Sequence, residues 1–324
     1  GKLKDLITSL GLDPNLKVSA IEATNAIQVL GTAGLSVDQI LGGAARATVL
    51  LANATGADFG TAAAIATDAM ALWGIEADDL TRVVNGVTST TIASKFGIDD
   101  YRLAMAQAGG VAAAVGVDFD DFNATIAAIS PSFASGSDAG TSFKTLLQRL
   151  IPQSTDAEDA MKALGLITAD GANAFFDASG NMKSMAQIAG ILNTATAGLT
   201  EQQKNETFAT IFGTDAMRAA FAVAGMTEES FNALKATMAK TDAEEAAAKR
   251  MDTFKGALEI LGGTFETLKI QIGDVFLPIL TGIIKKFNEF LTSNAPAIVD
   301  WAKRFADQLK GLVGKLLPLL SKWF

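Results

Sequence analysis

Gly34-Leu35-Ser36, Gly56-Ala57-Asp58, Gly74-Ile75-Glu76, Gly97-Ile98-Asp99, Gly116-Val117-Asp118 and Gly136-Ser137-Asp138 decide how this chain is read. Each is a glycine, an apolar or small residue, and an acid or hydroxyl, and each predicts the start of a helix. They are separated by 22, 18, 23, 19 and 20 residues, so every second start falls 40, 41, 42 and 39 residues apart. That is the length of one helical hairpin, and such a period belongs to helical arrays. The glycine is expected to take the left-handed conformation that ends one helix. The Ser or Asp two positions later, present in five of the six, is expected to cap the next. Residues 30–150 therefore read as a string of short antiparallel helices.

Outward from this array the chain keeps its helical character. Of 324 residues 49% are hydrophobic, with Ala, Leu and Ile prominent, and there are only six prolines; such composition favours helix. One or two short helices precede the array, interrupted at Asp13-Pro14, and Ile151-Pro152 closes its last helix. A helix starts again at Thr155-Asp156-Ala157-Glu158 and ends by Gly165. Asp177-Ala178-Ser179-Gly180-Asn181 is turn chemistry, which predicts a small β-hairpin or extended pair near 166–180. Helices are expected at 183–197, 200–211, 214–224 and 227–239, then a long charged helix from Thr241-Asp242 through Arg250. The predicted fold is all-α in three parts: a helical repeat-like domain over 1–152, a second helical segment over 153–240 with its turn or hairpin at 166–181, and 241–324 with the charged helix and amphipathic helices.

Charge and missing residue types narrow the function. The net charge is −9, and residues 255–324 carry nine Lys/Arg against six Asp/Glu, which leaves −12 on residues 1–254. An acidic body argues against sequence-specific nucleic-acid binding, which needs clustered cations; a weakly basic, apolar tail suits contact with an anionic membrane. The chain has neither Cys nor His. Disulfides, thiolate chemistry, serine triads and His-based metal sites are thereby excluded.

The remaining acids read as structure. Asp118, Asp120 and Asp121, like Asp99-Asp100, sit at helix starts, where carboxylates satisfy free amides and the helix dipole. Asp177–Asn181 lacks the glycine and glutamate spacing of a calcium loop. Leu41-Gly42-Gly43, Leu261-Gly262-Gly263 and Gly311-Leu312-Val313-Gly314-Lys315 lack the pattern of a phosphate loop. Asp78-Asp79 and Glu244-Glu245 have no aromatic groove beside them and read as solvated helix ends. No catalytic, cofactor-binding or metal-ligating set is assigned.

The tail carries the strongest surface signal. Phe276, Ile279, Leu280, Ile283, Phe287, Phe290 and Leu291 recur at helical spacing, and a second stripe follows at Ile298, Trp301, Phe305, Leu309, Leu312 and Leu316. Segment 270–284 contains Asp274 and Pro278 and is too short to span a bilayer. Its apolar excess requires cover from self-association, a partner or lipid. Phe276, Ile279, Leu280, Ile283, Phe287, Phe290, Trp301 and Phe305 are the candidate membrane- or partner-contacting residues. Starting at Gly1 and stopping at Lys322-Trp323-Phe324, the chain reads as an excerpt of a longer protein.

From Val83 onward the residues resemble the core of tailed-bacteriophage tape measure proteins. The resemblance runs through Thr91-Ile92-Ala93-Ser94-Lys95-Phe96-Gly97-Ile98-Asp99-Asp100-Tyr101-Arg102-Leu103-Ala104-Met105-Ala106-Gln107-Ala108-Gly109, then Gly116-Val117-Asp118-Phe119-Asp120-Asp121 and Gly136 to Leu150. The short helix Ala160–Gly165, the turn Asp177–Asn181 and Ile211-Phe212-Gly213-Thr214-Asp215-Ala216 follow in family order. The resemblance spans about residues 30–225, and Leu277-Pro278 is also in keeping. It implies a virion structural protein in the lumen of the phage tail, whose full length sets tail length. The implied partners are tail tube and tail-tip or baseplate proteins, copies of itself as a trimer or hexamer, and assembly chaperones. It also implies release ahead of the DNA and contact with the host membrane or envelope. Some members carry peptidoglycan hydrolase domains, and no such signature is present. The alternatives from other classes are a membrane-active pore or channel module using residues 270–324 and an enzyme of the cell envelope. Ala- and Gly-mediated helix contacts bury little area per residue, so the array is expected to open readily.

Overall fold

Hydroxyl and carboxylate caps set most of the helix starts in the computed structural model, which describes residues 1–253, 259–268, 270, 285–286 and 288–306. The helices are α1 (Lys2–Gly11), α2 (Ala20–Thr32), α3 (Val37–Gln39), α4 (Ala45–Thr55), α5 (Phe59–Trp73), α6 (Leu80–Ala93), α7 (Ile98–Ala114), α8 (Phe119–Ile129), α9 (Gly136–Gln148), α10 (Thr155–Ala163), α11 (Met185–Thr196), α12 (Glu201–Ala224), α13 (Glu228–Met238) and α14 (Ala243–Met251). Residues 259–268 and 288–306 are also helical. No strand is found among the described residues, so the fold is all-α. The chain divides into two units, Gly1–Thr267 and Leu268–Phe324.

The six glycine-led starts resolve into three physical devices. Gly34, Gly56, Gly74 and Gly116 have positive φ. At Gly116, φ is 91°, and the turn places Asp118 as the N-cap of α8, with Oδ1 accepting from Asp121 N–H at 2.7 Å. Ser36 and Asp58 cap α3 and α5 in the same way. Gly97 and Gly136 differ. Gly97 is extended and is itself the N-cap of α7, so Asp99 falls inside the first turn rather than capping it. Gly136 is the first residue of α9, whose cap is Ser135, and Asp138 N–H donates to the Ser135 hydroxyl oxygen.

What Gly136 provides is proximity. A Cβ there would lie 1.8 Å from the Asp100 carbonyl oxygen, and one at Gly140 would lie 2.6 Å from the Ala104 carbonyl oxygen. α7 and α9 therefore meet backbone to backbone, and Asp100 Oδ1 accepts from Gly136 N–H at 2.8 Å. α9 also packs on α12, and α8 on α6, α12 and α13. At the centre sits an aromatic group around Phe122, with ring centroids 5.1 Å from Trp73, 6.4 Å from Tyr101 and 6.1 Å from Phe143. Trp73 Nε1 donates to the Val117 carbonyl at 2.9 Å, which satisfies the indole in this apolar setting.

Elsewhere the departures are local. The two helices expected at 200–211 and 214–224 form α12, broken at Gly213, where φ is 68° and ψ is 172°. In place of a β-hairpin ladder, residues 166–182 make two isolated antiparallel bridges, Ile167 with Asn173 and Phe176 with Met182. Leu166 and Phe175 are buried beneath these bends. The charged helix from Thr241 is short, nine residues ending at Met251.

Candidate partner-binding surface

On the helix over 288–306, the large apolar side chains point to solvent. Phe290 is 57% exposed, Trp301 62% and Phe305 48%, with Leu291 and Val299 also open. On an ideal helix Phe290, Trp301 and Phe305 fall within an arc of about 60°. Trp301 and Phe305, one turn apart, stack with centroids 5.5 Å apart and planes 8° from parallel. Of the eight candidate contact residues these three are described, and the structure brings Trp301 and Phe305 together. Phe276, Ile279, Leu280, Ile283 and Phe287 lie outside the described residues.

The acids read as caps divide into three roles. Asp118 caps α8. Asp120 pairs with Arg82 at 3.0 Å on the surface, a bond that holds the guanidinium pKa above its ordinary value against a smaller opposing effect of burial. Asp121 is 2% exposed. Its Oδ2 accepts from Met185 N–H at 2.8 Å, and its Oδ1 accepts from Lys235 Nζ. Asp121 therefore fastens the start of α11 and the last turn of α13 to α8. Burial pulls the Lys235 pKa down, but the Asp121 hydrogen bond and the charges of Asp121, Asp118 and Asp120 outweigh it, and the net shift is upward. Lys235 is thus a fixed cation rather than a free base. Reading the sequence missed this site because its partners lie 64 and 114 residues away; no local signal announces them.

Beside the ion pair is a cavity of about 420 Å³, lined in part by Arg82, Asn85, Asn123, Lys235 and Met238. Asn123 Oδ1 accepts from the Tyr101 hydroxyl at 2.7 Å, while its Nδ2 is buried without a protein partner. Burial pushes the Tyr101 phenol well above its usual range, which keeps it a neutral donor. Asp177 accepts from Asn181 N–H, Asn181 Nδ2 and Ser179 N–H, an Asx-type turn whose bonds lower its pKa. Among the described residues no three acids gather as a metal-binding group. No single described helix is long and apolar enough to cross a membrane; the bent pair Val37–Thr55 and Phe59–Trp73 passes only jointly, with a 115° break.

The described residues define an all-α protein of capped helices that carries an exposed aromatic face over 288–306. The chain belongs to the phage-related minor tail protein family, whose sequence profile matches residues 4–213. It is similar to the tape measure protein of Pneumococcus phage Dp-1, with 26% identity over 328 aligned residues that cover 99% of this chain and 27% of that protein. The resemblance read from the motifs after Val83 therefore holds. The chain spans about a quarter of the length of this relative. No solved structure matches the chain. Neither finding supports a pore module.

Proposed function

We propose that this chain is a folded helical segment of a tape measure protein, carried in the lumen of the phage tail and released ahead of the DNA. The observation that carries the reading is the similarity to the Dp-1 tape measure protein across 99% of this chain. In this reading the segment contacts tail tube and tail-tip or baseplate proteins, associates with its own copies, and is handled by assembly chaperones. The apolar face of 288–306, with Phe290, Trp301 and Phe305, serves as a packing surface in the tail and meets the host envelope after release.

The test is an epitope tag in the exposed turn at Lys95 of the parent protein. Tagged tails should contain the protein and shield it from protease until receptor triggers ejection, after which the epitope should become cleavable. A tag absent from purified tails, or accessible before triggering, sinks the proposal.

A further inference from the structure

α13 and α14 lie across the body, with α13 on α6, α8 and α11 and α14 on α4 and α6. They are held there differently from the helices beneath. α8 buries nine of its eleven residues. α13 buries two of eleven, Phe231 and Met238, and α14 two of nine, Ala243 and Ala247. Beside these buried side chains the seam carries polar ties: Lys235 to Asp121, Ala243 N–H to Asn85 Oδ1 at 3.0 Å, and Arg46 to Glu244 at 3.4 Å with both side chains exposed. Packing along the seam is incomplete. The cavity of about 420 Å³ lies between Arg82, Asn85 and Asn123 on the body and Lys235 and Met238 on α13, and the buried Asn123 Nδ2 has no protein partner beside it.

Local opening follows the apolar area that must be exposed, and a segment with few buried side chains opens at lower cost than the global unit. Opening here would also hydrate Asn123, which removes the cost of an unmade hydrogen bond. We propose that α13 and α14 form a strap that opens as one unit while α4 to α9 stay folded, uncovering the cleft lined by Arg82, Asn85 and Asn123. The strap sets the order of unfolding, and it stands whether or not the chain occupies the tail lumen.

Hydrogen exchange of the full 324-residue chain, read by mass spectrometry and corrected for intrinsic rates, tests this. Peptides from α13 and α14 are expected to show protection at least about tenfold lower than peptides from α7, α8 and α9, with both strap helices sharing one opening rate. Lys235→Met is expected to lower strap protection further and leave α7 and α9 unchanged. Strap protection within tenfold of α7 to α9 overturns the proposal. So does a Lys235→Met effect spread evenly over the body.

Discussion

Phe122 and Trp301 are both large aromatic residues on helices of repeating apolar pattern, and their surroundings are opposite. Phe122 is fully buried among rings from α5, α7 and α9, whereas Trp301 is 62% exposed on a helix where none of the described residues is buried. Periodicity says that a face exists and at what angle. It says nothing about what covers that face. In α8 the cover comes from the same chain. Over 288–306, the described residues supply none.

The largest effect that sharpens this contrast is expected from Phe122→Ala. It removes a fully buried ring from the aromatic group and should destabilise the first unit by about 4 kcal/mol, read as a shift in denaturant midpoint at unchanged slope. A loss under about 1 kcal/mol would mean that the ring group is not the centre of the fold.

Gly136→Ala should follow at about 3 kcal/mol. The added methyl meets the Asp100 carbonyl at 1.8 Å, backbone against backbone, so α7 and α9 must separate rather than rotate a side chain away. Gly34→Ala, with nothing within 4 Å of its Cβ but φ of 97°, serves as the control and should cost only the left-handed strain of about 1–2 kcal/mol. Equal losses at the two sites would show that conformation, not approach, fixes Gly136.

Asp58→Ala tests a cap and should cost about 1 kcal/mol. The Thr61 hydroxyl and N–H hydrogen bonds lower the Asp58 pKa against a smaller opposing effect of burial. A lowered folded-state pKa gives stability that is present above the ordinary carboxylate value and is lost as pH falls through the folded value. The gap between wild type and Asp58→Ala should therefore be full at pH 7 and close under acid. A gap independent of pH down to 2 would show that the charge of Asp58 plays no part.

How much of this was legible varies with the range of the interaction. Caps are encoded within three residues, so Ser36, Asp58 and Asp118 are readable from spacing alone. The same triplet misleads at Gly97, which is itself an extended N-cap, and at Gly136, because a glycine used for backbone approach looks identical to one used for positive φ. Only the partner helix tells them apart. Asp121 shows the limit most plainly. It sits in an acidic triplet that reads as a cap, yet its partners Met185 and Lys235 are brought to it by α11 and α13 folding back. The Asp177 turn and an extended pair beside it were readable, while the extent of pairing, two isolated bridges rather than a hairpin ladder, was not. The family resemblance rested on ordered motifs such as Ile211-Phe212-Gly213, where the structure places the break in α12.

The smallest expected effect on stability is the most informative about the exposed face. Trp301→Ser with Phe305→Ser removes two stacked rings, more aromatic surface than Phe122→Ala does. Both lie in solvent, so the change should stay within about 0.5 kcal/mol in denaturant titrations of the isolated chain. The same double variant should weaken concentration-dependent self-association, followed by sedimentation, because the rings are the part of the face that a second copy would cover. A stability loss above about 1 kcal/mol would show that the chain itself covers the rings, and the contrast with Phe122 would fail. Unchanged stability with unchanged sedimentation would instead remove self-association as the reason for the face and leave a partner or lipid, which vesicle flotation of the same pair of proteins would separate.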